Sequence, residues 1–209
     1  MQRLTRSATN IIAAVTALAW VIALVTGQNE RAAYVMGFIP ARFSMPATPF
    51  PAVPAILTPL TATLVHSGPI HIGFNLLIFV WCGAAVERVL GNLGLVVLYL
   101  VGAYAAAFAQ YAMSPHSIVP MAGASGAISA VIGAYALSFG RAKQITKSPA
   151  VNRWINVVWL LAAWVVLQYM TGWLAGSEGL QLATAAHVGG FVAGLLLQRP
   201  LLLWRYRKA

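Results

Sequence analysis

Aspartate is missing from this 209-residue chain altogether, and its only carboxylates are Glu30, Glu87 and Glu178. Chemistry by paired aspartates is thereby excluded, and no H-E-x-x-H run is present to seat a catalytic zinc. Cys82 stands alone, so no internal disulfide can form and zinc sites built on two or more cysteines are excluded. It reads as a small apolar filler. Charge of either sign is scarce: 8% of residues are charged, where a soluble domain carries about 25%. Hydrophobic residues make up 60% of the chain instead, with a mean hydropathy of +0.80, the balance of an integral membrane protein. The catalytic residue types that remain are serine and histidine.

A spanning helix needs about 20 apolar residues, and the hydropathy pattern gives six such segments: 10–26, 71–86, 93–113, 125–140, 154–171 and 181–204. The fold class expected is an all-α bundle of six transmembrane helices, a single membrane domain over 1–209. No small-residue cleavage site follows the first segment, so it is expected to stay as a span. The net charge of +10 does not point to nucleic acid, because of where the charges fall. With a cytoplasmic N-terminus, Arg3, Arg6, Arg88, Arg141, Lys143, Lys147, Arg153, Arg199, Arg205, Arg207 and Lys208 share one side, and only Arg31 and Arg42 lie on the other. That asymmetry is a topology signal, and the basic span ends suit contact with anionic membrane lipid.

The longest connection, 27–70, holds Pro40, Pro46, Pro49, Pro51, Pro54 and Pro59 among apolar residues such as Phe43, Phe50 and Leu57. Loops of this length are uncommon and often functional; this one is expected on the outer side, partly in the interface, or as a spacer. The second span then opens on His71 and Asn75, four residues apart and so on one helix face. Two polar groups at that depth need each other or a polar interior. Either Asn75 is interhelical hydrogen-bond glue and His71 an interfacial residue, or both are donors to a developing oxyanion.

The fourth span is short. Sixteen residues make a helix of about 24 Å, against a hydrocarbon core of about 30 Å, so Ser125 at its outer tip lies below the surface. The irregular 113–124 stretch before it, with Pro115 and Pro120, is tolerated at such depth only if buried in protein or lining water, and a water-filled cavity above Ser125 is expected. As a helix start, Ser125 could serve as an N-cap, or its hydroxyl could be a nucleophile beside its own backbone N–H. In the sixth span His187 shares a face with Gly190 and Gly194, while Gly126, Ala130 and Ala134 recur at matching steps on the fourth. Small residues let membrane helices approach closely, and such an approach carries His187 to Ser125.

Taken together, His66, His71 and Asn75 as H-x-x-x-x-H-x-x-x-N, Glu87 and Gly91 as E-x-x-x-G, Gly123-Ala124-Ser125-Gly126 as G-x-S-G, and Ala186-His187 with Gly190 and Gly194 as A-H-x-x-G-x-x-x-G resemble the rhomboid intramembrane serine proteases. The resemblance runs over 58–196. It implies a six-helix rhomboid-like bundle whose short fourth helix carries the nucleophile, and a Ser–His dyad without an acid. Ser125 would be the nucleophile and His187 the base; Asn75, His71 and the Ser125 N–H would form the oxyanion hole. His66, Gly123 and Gly126 would support the site, and Gly190 and Gly194 the helix packing. Two positions depart from the family pattern: Ser129 stands where many members stack an aromatic ring on the histidine, and Pro59-Leu60-Thr61 occupies a stretch where a Trp-Arg pair is common. The implied partners are transmembrane protein substrates, with no nucleic acid, metal or organic cofactor. The implied location is a bacterial inner (plasma) membrane with both termini cytoplasmic. The rival readings are a non-catalytic rhomboid-like binding or quality-control factor, and a small transporter using His66, His71 and His187.

Overall fold

The computed structural model describes residues 7–44, 51–140, 144–177 and 183–207. Arg3, Arg6, Pro46, Pro49, Phe50, Arg141, Lys143, Glu178, Gln181 and Lys208 lie outside these. The described residues fold as α1 (Ala8–Val25), α2 (Asn29–Met36), α3 (Thr58–Thr61), α4 (Pro69–Met113), α5 (Ser125–Phe139), α6 (Pro149–Ser177) and α7 (Thr184–Arg205). Polarity is distributed as a lipid solvent requires. Ile11, Leu18, Phe74, Trp81, Phe108 and Trp173 are exposed, whereas Thr9, Thr16, Asn75, Ser129 and Gln168 are buried. In hydrocarbon there is no drive to bury leucine, and polar side chains turn inward to find partners. The protein is an all-α integral membrane protein.

Among the described residues four helices, α1, α4, α6 and α7, are long and apolar enough to cross a membrane. One of them holds two of the expected spans. Helix α4 runs for 45 residues, but Gly91 inside it has φ 77°, ψ 168°, a left-handed backbone that costs glycine little and other residues much. The Phe79 and Tyr99 rings lie 5.4 Å apart, although twenty residues of straight helix would separate them by about 30 Å. The chain therefore doubles back at Gly91, and 69–90 packs against 92–113. The sequence suggested a short loop there; a single glycine makes the reversal. Helix α5, at 15 residues, is about 22 Å long, short as expected. The N-terminal start of α6 falls five residues earlier than the hydropathy suggested.

Helix α5 is the centre of the bundle. A methyl added at Gly102 would meet Ala130 Cβ, and one at Gly126 would meet Ala106 Cβ at 2.6 Å, so α5 presses on the second half of α4. On its other side, a Cβ at Gly190 would overlap the Gly126 carbonyl and one at Gly194 the Ala130 carbonyl, while one at Gly133 would sit 2.6 Å from Phe191 O. Here α5 and α7 touch backbone to backbone, in the register that the four-residue steps suggested.

One end of this bundle is stapled by Glu87. Its Oε2 accepts hydrogen bonds from Ser7 Oγ (2.9 Å), Thr9 N (2.8 Å) and Thr9 Oγ1 (2.5 Å), placing a carboxylate at the positive N-terminal end of α1. Arg205 Nη1 reaches the carbonyls of Glu87 (3.3 Å) and Arg88 (2.7 Å), so the start of α1, the Gly91 reversal and the end of α7 gather there. Thr9 is fully buried, and each buried group left without a partner costs about 1–3 kcal/mol. Glu87→Ala should accordingly lower the thermal unfolding midpoint in detergent by several degrees. An unchanged midpoint would remove the staple from the account.

The described parts of the 27–70 connection, 27–44 and 51–70, make specific contacts with the bundle. Phe38 and Met121 exchange backbone hydrogen bonds of 2.9 and 2.8 Å, tying the stretch to the segment that precedes α5. Phe38, Ala62 and Ala107 form a small buried cluster with Tyr111 and Met121 beside it. Thr61 Oγ1 donates to Met36 O at 2.6 Å and Tyr104 Oη to Ile56 O at 3.0 Å.

Candidate active site

At the end opposite the staple, α5 begins at Ser125 with Ala124 as its N-cap. Ser125 is therefore not the cap that its position allowed, and its hydroxyl is engaged elsewhere. Its Oγ lies 2.8 Å from His187 Nε2, in the first turn of α7. Both residues are half-buried, so the pair is within reach from outside the packed core. The first N–H groups of α5, including that of Ser125, have no intrahelical acceptor and mark this tip as favourable for negative charge.

The approach to the tip is set by Gly123, at φ 117°. A Cβ there would meet His71 Nε2 at 2.7 Å and lie 3.8 Å from Ser125 Oγ, so the bare α-carbon lets the His71 ring and the Ser125 hydroxyl border the same space. His71 is held from behind by Ser67 Oγ, 3.1 Å from its Nδ1, and by the His66 ring, 4.9 Å away and edge-on. His66 is buried, and its Nε2 accepts from the Ala124 N–H at 3.4 Å. Together with the Gly123 N–H to Ala62 O bond of 2.9 Å, it fixes the backbone immediately before the serine. Asn75 is buried and donates through Nδ2 to His71 O at 2.9 Å, which uses one of the two hydrogens its amide offers.

Two side chains with no place in the sequence motifs complete the surroundings of His187. Gln168 Oε1 lies 2.7 Å from His187 Nδ1, and Trp164 Nε1 donates to His187 O at 3.2 Å. Gln168 is a polar residue inside an apolar span, which is the one sequence signal that marked it. Ser129, at the position of the expected aromatic shelf, is 2% exposed and donates to Ser125 O at 2.8 Å. Among the described residues no aromatic ring stacks on the His187 imidazole. A Cβ at Gly190 would already stand 3.3 Å from Ser129 Cβ, and a ring has no room in such a contact. Ser129→Tyr should overpack the α5–α7 interface, lowering turnover and unfolding temperature together. A variant of raised activity and unchanged stability would show that this packing has been misjudged.

Among the described residues no cluster of three metal-ligating side chains occurs. A cavity of about 770 Å³ lies elsewhere, lined by Lys147, Arg153, Trp154 and Arg199 among others; none of the residues around Ser125 borders it. Geometry of the reactive groups, not cavity size, marks the site.

A helical membrane protein with a serine–histidine pair at the tip of a short, tightly packed central helix is a narrow class. The family model described as Rhomboid domain matches residues 55–204, most of the chain, and the chain belongs to the rhomboid family. It is 34% identical over 134 residues to the Rhomboid protease GlpG of Serratia proteamaculans (strain 568), covering 64% of this chain and 44% of that protein. Proteins of the same name from Yersinia pestis (strain Pestoides F) and Yersinia pseudotuberculosis serotype O:3 (strain YPIII) are 32% identical over the same length, with the same coverage. The chain thus spans less than half the length of the curated relatives it matches.

Proposed function

We propose that this protein is an intramembrane serine endopeptidase that cleaves transmembrane segments of other membrane proteins. The observation that carries the reading is the 2.8 Å contact between Ser125 Oγ and His187 Nε2 at a helix tip, since a serine hydroxyl becomes a useful nucleophile when an adjacent base takes its proton. Ser125 Oγ attacks the scissile carbonyl, and His187 Nε2 receives the hydroxyl proton and delivers it to the leaving amine. The carbonyl oxygen, now an anion, is met by the Ser125 N–H, the second Asn75 amide hydrogen and His71 Nε2–H. Water, deprotonated by His187, then releases the acyl group. Preorganised donors of this kind supply a large part of the rate enhancement in acyl transfer.

The substrate is a transmembrane helix, cut near the end of the bilayer on the Ser125 side. A helical peptide bond is shielded by its own hydrogen bonds, so segments with glycine, proline or other poor helix formers unwind most easily into the site. Neither a metal nor an organic cofactor has a part in this chemistry, and nucleic acid is not a partner; contact with anionic lipid falls to the basic ends of the spans. The chain works as one membrane domain in a bacterial inner membrane, with the Glu87–Arg205 end cytoplasmic and the Ser125 end outward. A binding factor or a transporter would leave the Ser125–His187 bond without a use. The test is cleavage of a reporter carrying a glycine-containing transmembrane segment, co-reconstituted with the purified protein in liposomes. Cleavage within the segment is expected, and an intact reporter under conditions that preserve the fold would contradict the reading.

A further inference from the structure

The partners of both His187 ring nitrogens are neutral side chains, so a neutral group decides which nitrogen carries the proton. The ring has two: Nε2 faces Ser125 Oγ at 2.8 Å and Nδ1 faces Gln168 Oε1 at 2.7 Å. A neutral imidazole has one donor and one acceptor nitrogen. If the amide oxygen of Gln168 accepts from Nδ1–H, then Nε2 holds the lone pair and can take the serine proton. With the opposite tautomer, Nε2 would be a donor to the hydroxyl and no base at all. The same amide oxygen can keep accepting when the ring becomes doubly protonated, so its dipole also favours the imidazolium. We infer that Gln168 is the positioning residue of the dyad, the neutral counterpart of the acid in a serine–histidine–acid triad. The inference rests on the protease reading above.

Three features of the packing make this contact a fixed one. Gln168 is buried, so no bulk water competes for its oxygen. One turn before it on α6, Trp164 donates to the His187 carbonyl at 3.2 Å and stacks flat on Phe191, with centroids 4.7 Å apart and planes 8° from parallel. Phe191 is one turn beyond His187 on α7. Helices α6 and α7 thus meet at two successive rungs, Trp164 on Phe191 and Gln168 on His187, which sets the height and rotation of the glutamine relative to the ring. The third feature is on the opposite side. Ser129 is small, buried and bonded to the Ser125 carbonyl, so it offers the imidazole no shelf, and orientation falls to the hydrogen bond on Nδ1.

The test compares Gln168→Leu, which keeps the volume and removes the acceptor, with Gln168→Glu, which keeps the acceptor, in the reconstituted protein. Misplacing a catalytic group can cost about a hundredfold, and Gln168→Leu is expected to lose turnover on that order in kcat with KM little changed, while Gln168→Glu retains most of it. Nitrogen-15 NMR of histidine-labelled Ser125→Ala protein should show His187 protonated at Nδ1, and adding Gln168→Leu should produce a tautomer mixture. Full kcat in Gln168→Leu, or a Gln168→Glu variant as slow as Gln168→Leu, would overturn the inference. So would an Nδ1 without its proton. Should Gln168→Leu fail to fold, Gln168→Met makes the same removal with a more adaptable chain. If the unaltered protein cleaves nothing, the protease reading itself has failed, and the NMR measurement still decides whether Gln168 holds the ring.

Discussion

Ser125→Ala and His187→Ala should each remove cleavage of a transmembrane reporter by roughly a thousandfold or more, and the double variant should lose little beyond either single one. The expectation follows from the 2.8 Å bond that joins them: a hydroxyl without its base and a base without its hydroxyl are equally unable to start the reaction. Full additivity of the two losses would mean that the residues act in separate steps. Stability has to be read alongside, because α5 and α7 touch at Gly126 and Gly190. Neither substitution adds volume there, so both variants should fold. The rate constant for reporter cleavage in liposomes, with unfolding temperature as the control, checks this.

Asn75→Ala carries the second large effect. Removing one donor from an oxyanion hole costs about a hundredfold to a thousandfold in turnover, and the expected loss lies in kcat because the donor meets the oxygen most strongly when it carries charge. The structure also gives Asn75 a buttressing task, since its Nδ2 donates to His71 O at 2.9 Å. The two roles separate by labelling. An oxyanion donor leaves Ser125 nucleophilic toward a fluorophosphonate probe, whereas collapse of the His71 neighbourhood would disturb the Gly123 backbone and extinguish labelling as well. Undiminished kcat in Asn75→Ala would return the residue to packing.

Much of this arrangement was legible in the sequence because lipid makes polar residues conspicuous. A serine at the tip of a span too short for the bilayer, and a histidine on the glycine-lined face of another, needed only helical periodicity to be brought together, and the Gly126–Gly190 and Ala130–Gly194 contacts follow that periodicity. The Gly91 reversal was less legible: hydropathy shows a dip between two spans but not that one left-handed residue turns the chain. The placement of 27–44 was not legible, since it comes from the pairing of Phe38 with Met121, a contact across more than eighty residues with no periodicity to announce it. Gln168 escaped for a related reason. Its partner is set by the rotation of α6 against α7, which depends on the Trp164–Phe191 stack and not on any spacing within one helix.

The central claim is that Ser125 is the nucleophile, and the most direct measurement is mass spectrometry of peptides from the reconstituted protein after reaction with a fluorophosphonate. One adduct is expected, on Ser125, that disappears with His187→Ala and whose formation runs in step with the loss of reporter cleavage. Cleavage that continues when Ser125 is fully modified, or an adduct on another serine that tracks the loss of activity, would contradict it.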